Sequence, residues 1–432
     1  MADLVLSHAM VLDPAAGRLL PDVHVVVEGG RIADVASKAP RSPKGRVIDV
    51  RGRVVMPGLC DGHVHVTAVV PDFALLRRWS SMYVASRASH VLRDMLLRGF
   101  TTVRDVGGAD WGLARAIQEG HLVGPRLLFA GHAISQTGGH GDMRGAGEDA
   151  DEPTCMHGLG RVADGVPAVL QACRDEIRKG ATHLKLMVSG GVASPTDPIT
   201  NTQFSREEIR AAVEEAEAAG IYVTAHAYTS RAVARAVECG VRGIEHGNLV
   251  DEATLRLMAE RGAFLIPTLS VVHAVIREGV EAGFPAELRD KMFTIFETGT
   301  RVVEAAHRIG VKLVYGTDLL GAMHRHQLDE FAIRGEVLKP IDVIRSATST
   351  AAELFQRQSE LGAVVPGARA DLLVVEGNPL EDLGVLRDPE RNLKLVVADQ
   401  PLPEPGSRGR WSTPIDRRPA RSGAGRGANP PA

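Results

Sequence analysis

The sequence has few cysteines, little net charge and no long apolar run, and each shortage argues against a class of protein. No Cys-x-x-Cys spacing occurs among the four cysteines, so neither a zinc knuckle nor a disulfide framework is expected for Cys60, Cys155, Cys173 and Cys239. A formal net charge of -3 gives no reason to expect a nucleic-acid partner. No segment approaches ~18 uninterrupted apolar residues, and the N-terminus lacks a basic start followed by an apolar run. We therefore expect a soluble, cytoplasmic protein that does not bind membranes.

The apolar content is sufficient for a large core. The chain has 432 residues, 44% of them hydrophobic, enough for one barrel and a smaller module. Residues 1–57 predict short strands separated by turns, and residues 361–400 return to the same β character. We expect these two segments to form a flanking β-sandwich beside a central domain over residues 58–360. Residues 401–432 are rich in Pro, Gly and Arg, which predicts a disordered tail.

The central part of the chain alternates apolar strands with amphipathic helices, a pattern typical of a parallel sheet with right-handed crossovers. One predicted helix begins with a capping box at Ser205 and Glu208 and stops at Gly220. Eight apolar segments are predicted to be strands: 54–62, 101–106, 126–134, 183–189, 222–227, 243–246, 264–269 and 312–317. Eight βα units predict an α/β fold of the (β/α)8 TIM-barrel type.

A His-x-His motif closes the first of these strands. Residues two apart on a strand point to the same face, so His63 and His65 leave the strand end together, as two ligands of one metal would. Taken alone, a pair of hydrogen-bonded histidines would explain the motif equally well. Four residues in or at the ends of later apolar segments favour the metal: Lys185, His226, His246 and Asp318. On a barrel, all six candidates belong to the C-terminal face, where such folds assemble their active sites.

Lys185 is the unusual member of this set, because an ammonium group cannot bind a metal. A neutral lysine amine that reacts with carbon dioxide becomes a carbamate, an anionic oxygen donor able to bridge two cations. Lysine is scarce in this arginine-rich chain, and Lys185 lies between Leu184 and Leu186 in an apolar segment. A charged amine there would be costly unless it were neutralised or paired.

These motifs resemble those of the binuclear metal-dependent amidohydrolases, a superfamily that includes dihydroorotase, urease, imidazolonepropionase and a group of prolidases. The match spans residues 1 to about 400 and is closest to the prolidase and Xaa-carboxypeptidase group. The resemblance implies two divalent metal ions, with zinc as the default from the N/O ligand set. It also implies that His63 and His65 hold one metal with Asp318, that His226 and His246 hold the other, and that carboxylated Lys185 bridges the two.

A mechanism follows from paired divalent cations ~3.5 to 4 Å apart, which lower the pKa of a shared water and polarise a bound carbonyl. The expected nucleophile is the metal-bridging hydroxide, and the expected reaction is hydrolysis of an amide C–N bond. Asp318 would take the proton of the nucleophile and deliver it to the departing amine nitrogen.

Substrate recognition is predicted from the segment after the third strand and from the end of the fifth. His140, Arg144 and Tyr228 offer donors for an anionic end of a small-molecule substrate. The resemblance to prolidases and related carboxypeptidases implies that His140 and Tyr228 hold the α-carboxylate of the released residue. We therefore expect a dipeptidase or carboxypeptidase acting on Xaa-Pro or similar substrates. Relatives differ in whether they release proline, basic or bulky hydrophobic residues.

Other interpretations stay open at this point. One is hydrolysis of a cyclic amide, as in imidazolonepropionase, or of an N-acyl amino acid or aryl amide, as in toxin-degrading amidases. Another is a non-catalytic barrel scaffold, which the complete ligand set disfavours. A homo-oligomer is possible. Three further polar features are expected to stay outside the chemistry: His183 as a hydrogen-bonded core residue, His324 as a solvated or rim residue, and Arg104 with Asp105 as a charged supporting layer.

Overall fold

The structure is a computed structural model that describes residues 3–38, 45–145 and 159–398. The predicted tail over residues 401–432 lies outside these ranges. The strands, in chain order, are β1 (Leu4–Asp13), β2 (Arg18–Glu28), β3 (Arg31–Ala36), β4 (Arg46–Asp49), β5 (Val54–Pro57), β6 (Leu59–Val64), β7 (Phe100–Asp105), β8 (Arg126–Phe129), β9 (Ala133–Ser135), β10 (Gly160–Val162), β11 (Leu184–Met187), β12 (Val223–Thr229), β13 (Gly243–Leu249), β14 (Phe264–Ile266), β15 (Lys312–Leu313), β16 (Leu372–Val375) and β17 (Leu393–Val397).

Both ends of the described chain contribute to one seven-stranded sheet. Its order is β17-β16-β5-β1-β2-β3, with β4 pairing on β1. Strand β16 runs antiparallel to β5, in register from Leu372 opposite Pro57 to Val375 opposite Val54. The sheet has its own apolar core, which includes Leu6. This pairing joins the two predicted β-rich segments, while their closure into a two-layer sandwich stays a prediction.

The central strands form an α/β barrel of the TIM type. Strands β6, β7 and β8 pair in parallel, and a second sheet has the order β10-β9-β11-β12-β13-β14-β15. The ring is completed on one side by the Thr182 amide, which donates to the Phe129 carbonyl at 2.9 Å. On the other side, the Gly62 amide donates to the Tyr315 carbonyl at 2.7 Å. The parallel strands therefore bring their C-terminal ends to one face of the ring.

Two predicted barrel strands are in fact broken, and a glycine lies at each break. The predicted strand 54–62 divides into β5, which joins the terminal sheet, and β6, which joins the barrel. At Gly58 between them, a Cβ atom would lie 2.0 Å from Thr101 Oγ1. The predicted strand 126–134 divides into β8 and β9 at Gly131, whose φ is +75°. Side-chain hydrophobicity does not reveal such turns, because the flanking residues are apolar on both sides.

The helices pack around the barrel and follow the predicted alternation. Their bounds are α1 (Phe73–Leu76), α2 (Ser81–Leu97), α3 (Trp111–Gln118), α4 (Val166–Arg178), α5 (Arg206–Ala218), α6 (Ser230–Glu238), α7 (Glu252–Glu260), α8 (Leu269–Glu278), α9 (Ala286–Ile309), α10 (Asp329–Gly335), α11 (Pro340–Ser346), α12 (Ser349–Leu354), α13 (Gly384–Arg387) and α14 (Pro389–Asn392), with a 3-10 helix at Gly321–His326. The predicted capping box is confirmed: the Ser205 hydroxyl accepts from the Glu208 amide, and the Glu208 carboxylate accepts from the Ser205 amide. Of the helices within the described ranges, none combines the length and apolarity needed to cross a membrane.

Candidate metal centre

Two histidines and an aspartate meet at the end of β6. The Nε2 atoms of His63 and His65 are 3.4 Å apart. The Oδ1 atom of Asp318 lies 3.2 Å from His63 Nε2 and 3.3 Å from His65 Nε2. The Asp318 amide donates to the His63 carbonyl at 2.8 Å, and its φ of 54° is uncommon for a residue with a Cβ atom. The three polar atoms thus form a nearly equilateral triangle.

His226 in β12 and His246 in β13 extend this group along the ring. Their ring centroids are 4.7 Å apart. The His226 Nε2 atom donates to the Gly190 carbonyl at 3.1 Å, and His246 Nδ1 lies 2.7 Å from the Thr268 hydroxyl. One nitrogen of each ring is therefore engaged by the loops around the site. His246 shares with His63 and Asp318 a set of potential ligand atoms within 4.8 Å of one another.

Lys185 in β11 completes the six residues, which we call the ligand cluster: His63, His65, Lys185, His226, His246 and Asp318. The Lys185 side chain is buried, and the described residues provide it with no ion pair. Burial lowers the pKa of the amine to about 8, against the opposing effects of the Glu245 and Asp318 carboxylates. A lysine with this pKa keeps a fraction of neutral amine near neutral pH.

Glu245 lies directly behind the ligand cluster and orients His63. Its carboxylate accepts from His63 Nδ1 at 2.7 Å, from the Arg104 guanidinium at 2.6 Å and from the Thr224 hydroxyl. Burial acts to raise the pKa of the Glu245 carboxyl, but Arg104 and His63 outweigh it and hold that pKa well below its ordinary value. The contact agrees with the predicted role of Arg104 in a supporting layer, whereas Glu245 carries no motif that predicts its role from the sequence.

Two buried aspartates hold the backbone around the ligand cluster. Asp105 accepts from the Gly107 amide at 3.0 Å, and the Gly107 carbonyl accepts from His65 Nδ1 at 2.6 Å. Asp61 accepts from the Thr317 hydroxyl at 2.7 Å. Burial raises the pKa of the Asp61 carboxyl to about 6, against the lowering effect of its hydrogen bonds. The chain segments on either side of the triangle are therefore fixed by groups that do not face the cavity.

The ligand cluster lies in a cavity that is open to solvent, with about 710 Å³ of empty space when the solvent at its mouth is included. The cavity is also lined by two of the three predicted substrate-binding residues, His140 and Tyr228. Arg144 is not among the lining residues, and its guanidinium donates to both carboxylate oxygens of Asp142, at 2.6 and 2.7 Å. The rest of the lining is mainly apolar. We call these residues the apolar wall: Phe73, Met143, Met187, Val192, Val271, Phe284, Met292 and Leu320.

His140 and Tyr228 pack against two histidines of the ligand cluster, His226 and His246. The His140 ring stacks on His226 with centroids 4.1 Å apart, and the Tyr228 ring stacks on His246 at 4.9 Å. Burial lowers the pKa of His140 to about 4, although Asp197 acts in the opposite direction. Burial also raises the pKa of the Tyr228 phenol well above its ordinary value, so the hydroxyl keeps its proton.

Two histidines differ from the sequence-based expectation. His324 was expected to be solvated or at the rim, but it is buried in the 3-10 helix, and its Nε2 atom has no hydrogen-bond partner in the described structure. His183 is buried as expected, and its Nδ1 atom lies 3.0 Å from the Thr182 hydroxyl. Its Nε2 atom, however, also lacks a hydrogen-bond partner within the described ranges, so only one of the two ring nitrogens is hydrogen-bonded.

Comparison with known proteins identifies the family of this chain. The model of the amidohydrolase family matches residues 54–402. Ochratoxinase from Aspergillus niger is 31% identical over 407 residues, which cover 90% of this chain and 84% of that protein.

Solved structures of similar proteins resemble this chain in both sequence and fold. A prolidase complexed with N-methylphosphonate-L-proline is 48% identical with a TM-score of 0.91, covering 96% of this chain and 100% of that chain. A Xaa-Pro dipeptidase with bound methionine is 30% identical with a TM-score of 0.82, covering 92% and 98%. The predicted resemblance and the prediction of an enzyme that hydrolyses amide bonds are therefore confirmed. The chain belongs to the amidohydrolase family.

Proposed function

We propose that this chain is a metal-dependent dipeptidase or carboxypeptidase that cleaves the amide bond of substrates with a free carboxylate, such as Xaa-Pro. The observation that carries the proposal is the triangle of His63, His65 and Asp318, with separations of 3.2, 3.3 and 3.4 Å. A four-coordinate zinc ion with ligands at about 2.0–2.1 Å requires neighbouring ligand atoms about 3.3 Å apart. The residues present therefore fit a divalent metal.

His226 and His246 would hold a second divalent ion, and a carbamate on Lys185 would supply an anionic oxygen donor to both ions. The lowered pKa of Lys185 supports this assignment, because the neutral amine is the form that reacts with carbon dioxide. When bound, such a metal pair lowers the pKa of water and polarises the substrate carbonyl.

Asp318 has the proton-transfer role. Burial acts to raise the pKa of its carboxyl, but the neighbouring His63 and His65 hold that pKa well below its ordinary value, so Asp318 starts ionised. It can therefore accept the proton of the attacking water and deliver it to the amine nitrogen as the C–N bond breaks. Its backbone bond to the His63 carbonyl keeps the carboxylate at the triangle during this transfer.

His140 and Tyr228 are the proposed clamp for the substrate carboxylate. Both line the cavity, and both rings stack on histidines of the ligand cluster, which brings a bound carboxylate close to the scissile bond. Tyr228 keeps a hydroxyl proton that it can donate. His140 Nδ1 already faces the Ser194 hydroxyl at 2.7 Å, so His140 would bind the carboxylate as an imidazolium, with Nε2 donating. Burial lowers the pKa of His140, and the negative charge of the bound carboxylate acts in the opposite direction. The solved prolidase and Xaa-Pro dipeptidase relatives support the same substrate class. Arg144 remains the weakest candidate, because Asp142 already engages its guanidinium.

A second candidate function is hydrolysis of N-acyl amino acids, and the apolar wall favours it. A dipeptide has a free ammonium group, which normally requires an anionic partner when it is buried. Among the described residues that line the cavity, Asp318 is the one carboxylate, and it belongs to the ligand cluster. A neutral, apolar acyl group would need no such partner.

We also propose the predicted division of the chain into two domains. Residues 1–57 and 361–400 are assigned to a β-sandwich, and residues 58–360 to the catalytic barrel. The antiparallel pairing of β5 with β16 supports this division, because it joins the two terminal segments.

The experiment is hydrolysis by the zinc-loaded protein of Xaa-Pro, Xaa-Arg and Xaa-Phe dipeptides, each beside its C-terminal amide and its N-acetyl derivative. Cleavage of free carboxylates but not of amides supports the clamp, and the N-acetyl series decides between the two candidate functions. His140→Asn and Tyr228→Phe should raise KM about 10- to 100-fold for carboxylate substrates, since each removes a hydrogen bond to a charged group. Cleavage of no carboxylate substrate would overturn both candidates.

A further inference from the structure

Lys291 makes an unusual set of hydrogen bonds beside the cavity. Its ammonium group donates to three backbone carbonyls: Gly191 at 3.1 Å, Ser194 at 2.9 Å and Asp197 at 3.1 Å. An ammonium has three N–H donors, so every donor of this group has an acceptor. Lys291 is in α9, whereas the three carbonyls belong to the loop over residues 190–198, between β11 and α5. One side chain therefore connects helix α9 to this loop.

The same loop holds His140. The Ser194 hydroxyl donates to the Asp197 carboxylate, so it accepts from His140 Nδ1, which lies 2.7 Å away. Asp197 is itself buried and accepts from the Gly191 amide and from the Gln203 side chain, both at 3.1 Å. A hydrogen-bonded chain thus runs from the imidazole of His140 through the side chain of Ser194 to that of Asp197.

Close packing makes the position of the His140 ring depend on the loop. A Cβ atom at Gly191 would lie 2.0 Å from the ring, so the loop backbone presses directly on one side of the imidazole. The other side stacks on His226, with centroids 4.1 Å apart. A shift of the loop would therefore move the ring or release it, because the ring is enclosed between the loop and His226.

The loop and the start of α9 also form part of the cavity. Val192 of the loop and Met292, the residue after Lys291, both line it. Lys291 itself does not line the cavity, so it cannot act by touching a substrate there. Its three bonds join two pieces of the cavity boundary that lie roughly a hundred residues apart in the sequence.

We propose that Lys291 is a positioning residue: it fixes the 190–198 loop and, through Ser194, holds His140 in place to bind the substrate carboxylate. This inference rests on the proposed function of the site. Loss of the ammonium leaves three carbonyls without their donor and frees the loop, so the clamp becomes less ordered before substrate binds. Substrate affinity should therefore fall, whereas the ligand cluster should keep its geometry, because other groups hold it in place.

The first test is Lys291→Met, which removes the ammonium and keeps most of the apolar stem. We expect KM for a carboxylate substrate to rise about tenfold, as for one weakened charge-assisted hydrogen bond, with a smaller change in kcat and unchanged metal content. KM for an amide-capped substrate, where it is cleaved, should not change. Lys312→Met is the matched control, because Lys312 starts β15 at the opposite end of the barrel strands and pairs with Glu353. It should behave like the wild type.

A double-mutant cycle tests whether Lys291 acts through His140. If it does, Lys291→Met should have no further effect on KM in a His140→Asn background. Equal effects in both backgrounds would overturn the inference. Lys291→Arg keeps the charge and should restore part of the binding, and it serves in place of the methionine variant if that variant does not fold.

Hydrogen exchange supplies a readout that does not depend on activity. The amides of Gly190 and Gly191 are hydrogen-bonded to Asn201 and to Asp197, and Lys291→Met should speed their exchange. Unchanged exchange together with unchanged KM would overturn the inference. Failure of the proposed function has a different signature: the wild-type protein would cleave no carboxylate substrate, whereas failure of this inference leaves an active wild type whose KM does not depend on Lys291.

Discussion

The ligand cluster and the apolar wall face the same cavity, but they are held in different ways. Members of the ligand cluster lie at or near strand ends, and fixed polar groups behind them orient their rings. Glu245 bonds to His63, and the Thr268 hydroxyl bonds to His246. Apart from Met187 in β11, the apolar wall comes from loops and outer helices, and residues such as Phe284 are held by an apolar cluster.

From this difference we expect the ligand cluster to determine the reaction and the apolar wall to determine which substrates bind. Directional bonds fix the positions of ligand atoms, and small errors in those positions are costly for a metal site. Packing in the apolar wall tolerates changes of shape if the volume is kept. Single polar substitutions behind or within the ligand cluster should therefore have large effects, whereas the apolar wall should alter substrate choice more gradually.

The largest expected effect is that of Asp318→Asn. The amide keeps an oxygen near His63 and His65 but cannot accept and return a proton. We expect most of the metal to be retained and kcat to fall by about 10²- to 10⁴-fold. Steady-state kinetics with metal analysis of the same sample provides the measurement. Near-normal turnover in a metal-loaded variant would refute the assigned role of Asp318.

Glu245→Gln tests whether the groups behind the ligand cluster matter for the metal. Both Glu245 and its partner Arg104 are fully buried, and removing one charge leaves the other unpaired. We expect a loss of about 3–5 kcal/mol in the free energy of unfolding. Metal affinity should also fall by about 10- to 100-fold, because His63 loses its orienting carboxylate. Urea unfolding of the metal-free protein and metal titration measure the two effects separately.

The chain contains a matched control for this variant. Glu330 and Arg334 are another fully buried pair, joined by a bond of 2.8 Å, and neither is in the ligand cluster. Glu330→Gln should lose a similar amount of stability but keep its metal affinity. If both variants bind metal equally well, Glu245 does not orient His63 for metal binding. The ligand cluster would then depend less on the polar groups behind it than the contrast with the apolar wall requires.

The sequence was informative where local spacing determines geometry. His63 and His65 are two residues apart, and this separation alone places both side chains on one face of a strand. The capping box at Ser205 is equally local, because both of its bonds join residues three positions apart. The alternation of strands and helices predicted the barrel, and with it the gathering of distant polar residues at the strand ends.

The sequence was uninformative where tertiary contacts determine the outcome. Glu245 directly precedes His246, but only the folded chain brings Arg104 and His63 to it. The connection of Lys291 to the 190–198 loop spans roughly a hundred residues of sequence and uses backbone carbonyls, which carry no sequence signal. His324 was misjudged for the same reason: a histidine between Met323 and Arg325 gives no local sign of whether the fold will bury it.

The effect expected to be smallest at neutral pH concerns His324 and the dependence of stability on pH. Burial lowers the pKa of His324 to about 3, and the positive charge of Arg98 adds to that shift. An unfolded histidine has a pKa of about 6.5, so between about pH 6.5 and 3 the unfolded chain binds a proton that the folded chain does not. Stability must therefore fall as the pH is lowered through this window, by up to about 1.4 kcal/mol per pH unit for one proton.

His324→Gln removes this titration, so the variant should lose less stability on acidification than the wild type does. Urea unfolding of both metal-free proteins at several pH values gives the difference, in which the histidines and carboxylates common to both proteins cancel. Identical slopes would contradict the prediction, as would an imidazole signal from His324 that titrates near pH 6.5 in the folded protein. Either result would mean that the buried site around His324 and Arg98 admits a second positive charge, and that burial there constrains polar groups less than it does around the ligand cluster.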